Sequence, residues 1–202
     1  MALEAGKGRF GMVKEYHGIT FEKAVAEKKA DSAIIPLCRF LNGLPEFFTA
    51  SSCSGRITVL ELDEQENKRE SAFFYKKHGK ISAETVWKRV HEKSMNNLWF
   101  KQEPFILHLG TNSLENANRL LECCREAGIK RAGIMVAKPG KFVLEIIGTQ
   151  GMAIPIKQKN KVLVEKKFFA FLSKQANKKL EANFVRLKRF ETVLRKKLKE
   201  KE

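Results

Sequence analysis

The sequence has no run of about 18 or more apolar residues, so no segment is expected to span a membrane. Its first twelve residues carry glycines and charges but no apolar h-region, which removes a secretory leader from the reading. Cysteine is scarce and badly spaced for chemistry. Cys38 and Cys53 stand apart, Cys123 and Cys124 are adjacent, and there is no C-x-x-C pair. That argues against a disulfide framework and against zinc, so no metal is expected and a reducing cytoplasm is the expected compartment. Histidine is equally thin: His17, His78, His91 and His108 show no H-E-x-x-H or similar pairing. A phosphate-binding signature is present in letters only. Gly6-Lys7-Gly8-Arg9-Phe10-Gly11 satisfies G-x-G-x-x-G, yet five preceding residues cannot supply the strand from which a dinucleotide loop must turn. It reads as a flexible terminus.

Acidic residues are also short. There are 23 Asp and Glu against 39 Lys and Arg, a net charge of +16. Surface ion-pair networks need both signs, so this excess points instead to a polyanionic partner, nucleic acid or an acidic membrane surface, and nucleic acid is the favoured reading. The 202 residues suffice for one well-buried core, and residues 1–202 are expected to form one α+β domain.

What is present alternates between two periods. Thr20 is placed to cap a short helix from Phe21 to about Lys29, and Asp31 or Ser32 to cap a second carrying Ile34, Leu37, Cys38 and Leu41. Pro36 fits its first turn, and Asn42-Gly43 stops it. Strands are expected at 46–50, 56–62 and 71–77, with an acidic solvated loop over 63–70. Ser82 caps a helix to Met95, and Ser113 caps one ended by Gly128. Strands follow at 98–101 and 105–110, a hairpin over 132–147 turns at Lys138-Pro139-Gly140-Lys141, and a last strand covers 152–156. From about Glu165 to Lys199, apolar residues from Phe169 to Leu198 recur every three or four positions, which predicts one long amphipathic helix. Residues 166–202 carry thirteen Lys/Arg and four Asp/Glu, so its polar face is strongly basic. Altogether this predicts a mixed or antiparallel sheet, with barrel-like closure left open, flanked by helices.

Two stretches carry candidate chemistry. Ser51-Ser52-Cys53-Ser54-Gly55-Arg56 is small, hydroxyl-rich and set between hydrophobic strands. Small residues let a ligand approach backbone N–H groups, and Arg56 can clamp an anion with two hydrogen bonds. The plain alternative is a polar turn. In Glu103-Pro104-Phe105-Ile106-Leu107-His108, strand alternation puts Phe105, Leu107 and Leu109 on one face and Ile106 and His108 on the other. His108 is either a structural strand histidine or a proton acceptor; Glu103 is either a general base or a charge before a proline. Lys138 and Lys141 at a hairpin tip either touch phosphates or sit in solvent.

At these residues the sequence resembles the tRNA wybutosine-synthesizing protein 3 family. Phe47-Phe48-Thr49 followed by Ser51-Ser52-Cys53-Ser54-Gly55-Arg56-Ile57 matches that family's Phe-Phe-Thr-x-Ser-Ser-Cys-x-Gly-Arg-Ile. Lys101-Gln102-Glu103-Pro104-Phe105-Ile106-Leu107-His108 matches its Lys-x-Glu-Pro-Phe-x-Leu-His. A weaker match runs through Gly128, Gly133-Ile134, Val136, Lys138, Gly140-Lys141, Gly151 and Pro155. The resemblance implies an S-adenosylmethionine-dependent enzyme that N-methylates a 4-demethylwyosine-type tricyclic base 3′ of the anticodon of tRNA-Phe. It also implies a fold other than the Rossmann methyltransferase. On that footing Ser51, Ser52, Cys53, Ser54, Gly55, Arg56 and Lys101 are expected to bind donor and acceptor. Glu103 or His108 would take the proton, and Lys138 and Lys141 would contact tRNA in its anticodon loop. Cys53 is read as a wall residue rather than a nucleophile. Phe47, Phe48 or Trp99 could stack on the tricycle, with buried core as the commoner role. The rival reading is a non-catalytic basic RNA-binding protein.

Overall fold

A computed structural model describes residues 2–63, 65 and 71–199, with side chains placed between residues 8 and 198. Most of the acidic loop expected over 63–70 therefore lies outside the described residues. The elements run α1 (Ala2–Ala26), α2 (Ile35–Gly43), β1 (Phe47–Cys53), β2 (Arg56–Leu62), β3 (Ala72–Lys77), α3 (Ala83–Val90), β4 (Asn97–Glu103), β5 (Ile106–Thr111), α4 (Leu114–Glu126), β6 (Arg131–Lys138), β7 (Lys141–Ile147), β8 (Met152–Gln158), β9 (Lys161–Val162) and α5 (Lys166–Lys199). All strand pairs are antiparallel. They form two open sheets rather than one, with no barrel closure among the described residues.

The contacts divide the chain into two units: residues 1–54, 105–149 and 184–202 in the first, and 55–104 and 150–183 in the second. The first unit holds the sheet ordered β1-β5-β7-β6. Its inner face carries Phe47, Leu107, Leu109, Leu144 and Ile146, which pack with Leu37 and Leu41 of α2, Leu120 and Cys124 of α4, and Leu187, Phe190 and Leu194 of α5. Burial of this apolar set is the main stabilising term of the unit. The expected alternation on β5 is observed, with Phe105, Leu107 and Leu109 at or below 1% exposure.

On the opposite face, Gly110 lies directly beneath the ring of Phe48, its register partner on β1. A Cβ at position 110 would sit 2.0 Å from that ring, so only glycine admits the approach. His17 of α1 stacks on the same ring at 4.9 Å, and Phe10 packs against it at 5.6 Å. Lys14 fastens α1 further by donating to the carbonyls of Asn42, Leu44 and Phe47 at 2.6, 2.9 and 2.6 Å.

Here two local expectations fail. The terminus through Gly11 belongs to the 25-residue α1 rather than to a flexible segment, and Thr20 lies inside that helix, donating to the Tyr16 carbonyl instead of capping. Intrinsic propensity is against four glycines in one helix, but tertiary packing of Phe10, Lys14 and His17 overrides it. Neither Asp31 nor Ser32 caps α2. The N-cap is Ile34 without a side-chain bond, and Asp31 is engaged elsewhere.

The second unit holds the sheet ordered β3-β2-β4-β8-β9. Ile57, Val59, Leu98, Phe100 and Ile156 on its inner face are fully buried, as are Val86 and Val90 of α3. Phe169 of α5 meets the rings of Phe100 and Trp87 at 5.2 and 5.3 Å. Ser82 caps α3 as expected, although that helix stops at Val90 rather than Met95, where the buried ammonium of Lys157 takes the Val90 carbonyl at 2.9 Å. A cation at a helix C-terminus completes the orphaned carbonyls there. Burial lowers the pKa of Lys157. No described helix is long and apolar enough to cross a membrane.

Candidate active site

In the first unit, β1 is an edge strand whose register with β5 shifts between Thr49 and Ser52. A bulge at an edge re-aims side chains. The hydrogen-bonding groups freed at Thr49 are taken up by Asn42 of α2, whose Oδ1 accepts from the Thr49 backbone N–H at 2.7 Å and from its hydroxyl at 3.1 Å. Beyond the bulge, Ser51 points away from the core and its Oγ lies 2.7 Å from His108 Nδ1. On the other side of the ring, His108 Nε2 lies 3.0 Å from Glu145 Oε2 on β7. His108 and Glu145 are register partners, and the residue opposite Glu145 on β6 is Gly133, which leaves open space beside the carboxylate.

The partners fix the tautomer. An ionised carboxylate only accepts, so Nε2 carries the proton and Nδ1 presents its lone pair to the Ser51 hydroxyl. A protonated ring also finds an acceptor on each side, since the Ser51 carbonyl is 3.3 Å from Nδ1. The arrangement is a hydroxyl, an imidazole and a carboxylate in line across three strands. It can hold a proton and pass it on.

The rest of the small-residue motif divides by face. Ser52 turns inward, where its Oγ is buried without a nitrogen or oxygen partner among the described residues and lies with Thr49 against the Cys38 thiol. Burial pushes that thiol up to about 11, so Cys38 is inert. Cys53 ends β1 opposite Ile106, half-buried. Ser54 is buried, and both its backbone N–H, at 2.9 Å, and its hydroxyl donate to Asp31 Oδ2. Asp31 Oδ2 is thus committed to Ser54, while its Oδ1 accepts from the Ala33 backbone N–H at 3.3 Å, ahead of α2. Gly55 follows with φ of +100°, the left-handed geometry that glycine tolerates, as the chain leaves β1 for β2.

In the second unit, Arg56 and Glu103 are register partners on β2 and β4, joined by a direct ion pair and each about a third exposed on its side chain. The Arg56 guanidinium also lies 4.7 Å from the centre of the Phe73 ring on β3. Lys101 lies two residues before Glu103 on the same side of β4, its Nζ 5.6 Å from the Trp99 ring. At the β6–β7 turn Lys138 and Lys141 are register partners across Gly140, whose φ is +70°, as the hairpin reading expects. Lys141, together with burial, lowers the pKa of His17; burial is the larger cause.

The sequence-predicted residues thus fall into two sets. Ser51 and His108 meet in the first unit; Arg56, Glu103 and Lys101 share one face of the second unit's sheet. Ser52 and Ser54 make inward contacts instead. Phe47 and Phe48, at 2% and 1% exposure, are core and cannot stack on a ligand. Two surface hollows, one of about 450 Å³ beside Gly128 and Leu121 and one of about 700 Å³ along Lys80 and Ser173, contain none of the candidate catalytic or binding residues. Sequence reasoning missed Glu145, although its place between the buried Leu144 and Ile146 marks it as outward-facing. It missed Phe73, whose exposure only the sheet order reveals.

Comparison with known proteins bears on this geometry. The family model described as "Methyltransferase TYW3" matches residues 13–196. A Thermococcus kodakarensis protein named tRNA(Phe) 7-((3-amino-3-carboxypropyl)-4-demethylwyosine(37)-N(4))-methyltransferase 1 is 34% identical over 174 residues, covering 86% of this chain and 88% of its own. A Pyrococcus furiosus protein of the same name is 31% identical over 183 residues, covering 91% and 93%. The tRNA wybutosine-synthesizing protein 3 homolog of Danio rerio is 34% identical over 169 residues, but this chain spans only 66% of its length. Among solved structures, the PH1069 protein from Pyrococcus horikoshii superposes with a TM-score of 0.87 at 28% identity, covering 95% of this chain and 97% of its own. With the family model covering almost the whole chain and two relatives matching more than four fifths of it at over 30% identity, the chain belongs to the TYW3 methyltransferase family.

Proposed function

We propose that the chain moves a methyl group from S-adenosylmethionine to the N4 position of a 4-demethylwyosine-type base in tRNA(Phe), and that it reaches this base in the anticodon loop. Membership of a methyltransferase family and the substrate named for the archaeal relatives support the reaction class. The observation that carries the reading is the Ser51–His108–Glu145 line, because N-methylation of a ring nitrogen releases a proton that must be received.

S-adenosylmethionine, when bound, supplies an electrophilic methyl carbon. The chain's residues fit its polar end: Arg56 and Glu103 set a cation and a carboxylate on neighbouring strands, the complement of an α-carboxylate and an α-ammonium. The 3-amino-3-carboxypropyl group named in the relatives' substrate is a zwitterion of the same kind, and the same pair fits it. Ser51 Oγ receives the proton shed by the acceptor nitrogen as its own hydroxyl proton passes to His108 Nδ1. Nε2–H remains on Glu145, which holds the ring in the tautomer that can accept. Direct transfer from a sulfonium needs neither a nucleophilic cysteine nor a Lewis acid, so Cys53 and metal ions have no part in this scheme. Most of the acceleration then comes from alignment. Lys138, Lys141 and the basic face of α5 take the phosphates of the tRNA.

Incubation with isotopically labelled S-adenosylmethionine and tRNA from a strain arrested before this methylation, followed by nucleoside mass spectrometry, tests the proposal. The expected product is the labelled N4-methyl tricycle. Unlabelled tricycle at full occupancy of donor and tRNA would sink it.

A further inference from the structure

The second unit's sheet carries a surface of which the reaction scheme uses only Arg56 and Glu103. On β3, at the edge of that sheet, the Phe73 side chain stands 46% exposed. Its register partner on β2 is Leu60, and Leu60 in turn faces Trp99 on β4, so a single apolar row crosses three strands. The neighbouring row is cationic: Lys76, Thr58 and Lys101 are register partners across the same strands, roughly 7 Å along from the first row by strand geometry. Arg56 extends back over the ring of Phe73 at 4.7 Å, and Lys76 lies 4.9 Å from its centre. Between the two lysines the Thr58 hydroxyl is buried with no partner among the described residues.

An exposed aromatic ring with two cations against it is poorly placed for a protein core or a lipid surface. It is well placed for a nucleotide. A base offers a π-face to the ring or to the guanidinium plane, and its phosphate falls where the lysines stand. Only an unpaired strand exposes base faces in this way. We infer that this face of β2, β3 and β4 binds single-stranded RNA, with Phe73 stacking one base and Lys76 and Lys101 gripping the adjoining phosphates. The inference rests on the reading that the chain acts on tRNA. It adds a docking surface for unpaired nucleotides of that RNA.

The sequence contains two tryptophans, Trp87 and Trp99, and Trp87 lies half-buried against Phe169, away from this face. In a Trp87→Phe variant the remaining fluorescence therefore reports on this face. Titration with an anticodon-arm RNA, without methyl donor, is expected to quench it. The same RNA annealed to its complement should bind at least tenfold more weakly. In filter binding with the otherwise wild-type chain, Phe73→Ala should weaken the loop RNA about tenfold at unchanged salt slope, and Phe73→Trp should restore it. Lys76→Gln should lower the salt slope by about one. Equal affinity for loop and duplex, or unchanged binding in both Phe73→Ala and Lys76→Gln, would overturn the inference. Because no donor is present, that outcome leaves the methylation reading standing. Tight, Phe73-dependent loop binding without labelled product would remove the methylation reading and spare the docking surface.

Discussion

The two sheets present unlike faces. That of the first unit brings together a hydroxyl, an imidazole and a carboxylate, all within hydrogen-bond reach and all able to exchange protons. That of the second brings together a guanidinium paired to the Glu103 carboxylate, two ammonium groups and two aromatic rings. One stretch of chain, Ser51 to Arg56, begins in the first and ends in the second. Its six residues run from the strand that carries Ser51 to the strand that carries Arg56. Short-range proton movement calls for fixed tautomers and paired partners. Recognition of a large polyanion calls for mobile charge spread over area.

This contrast can be broken by substitution. The largest effect is expected at His108→Ala: loss of the base should lower kcat by roughly 10²–10⁴-fold, with tRNA affinity in filter binding unchanged. A matching loss of affinity would mean that the first face also binds RNA. Arg56→Ala should act in the opposite sense. It removes charge-assisted contacts and should raise KM for the donor or the RNA by about tenfold or more, leaving the shape of the pH–rate profile intact. If kcat alone falls, the two faces are not separable. Glu145→Gln should be the mildest, about a tenfold fall in kcat. The split between kcat and binding is the sharper readout. The carboxylate orients the imidazole, so kcat should fall while tRNA affinity in filter binding stays unchanged. An unchanged kcat would reduce Glu145 to a structural partner.

Much of the architecture was legible in the residues. The stripe from Phe169 to Leu198 repeats over enough turns to leave little choice but a helix, and α5 spans Lys166–Lys199. Ser82 and Ser113 cap where their spacing says, because an N-cap bond is local. Elements failed where distant contacts decide. α1 forms through Lys14 and the ring stack on Phe48, and Asp31 abandons α2 for Ser54, twenty-three residues away. The same limit governs the site. The motifs name Ser51 and His108, but that they touch follows from a bulge and a strand register. Glu145 and Phe73 became functional candidates only when neighbouring strands were known. One sheet was expected and two were found, since antiparallel alternation says which face a residue occupies but not which partner strand it takes.

The bare methylene at Gly110 has a consequence for where chemistry is accessible. By letting Phe48 settle flat on β5 with His17 stacked on its ring, it covers that end of the sheet with rings, while two residues upstream the His108 side chain keeps 27% exposure. A single hydrogen in place of a side chain thus draws the border between the roofed and the open part of the sheet. Even alanine there would lift the tiling and shift that border.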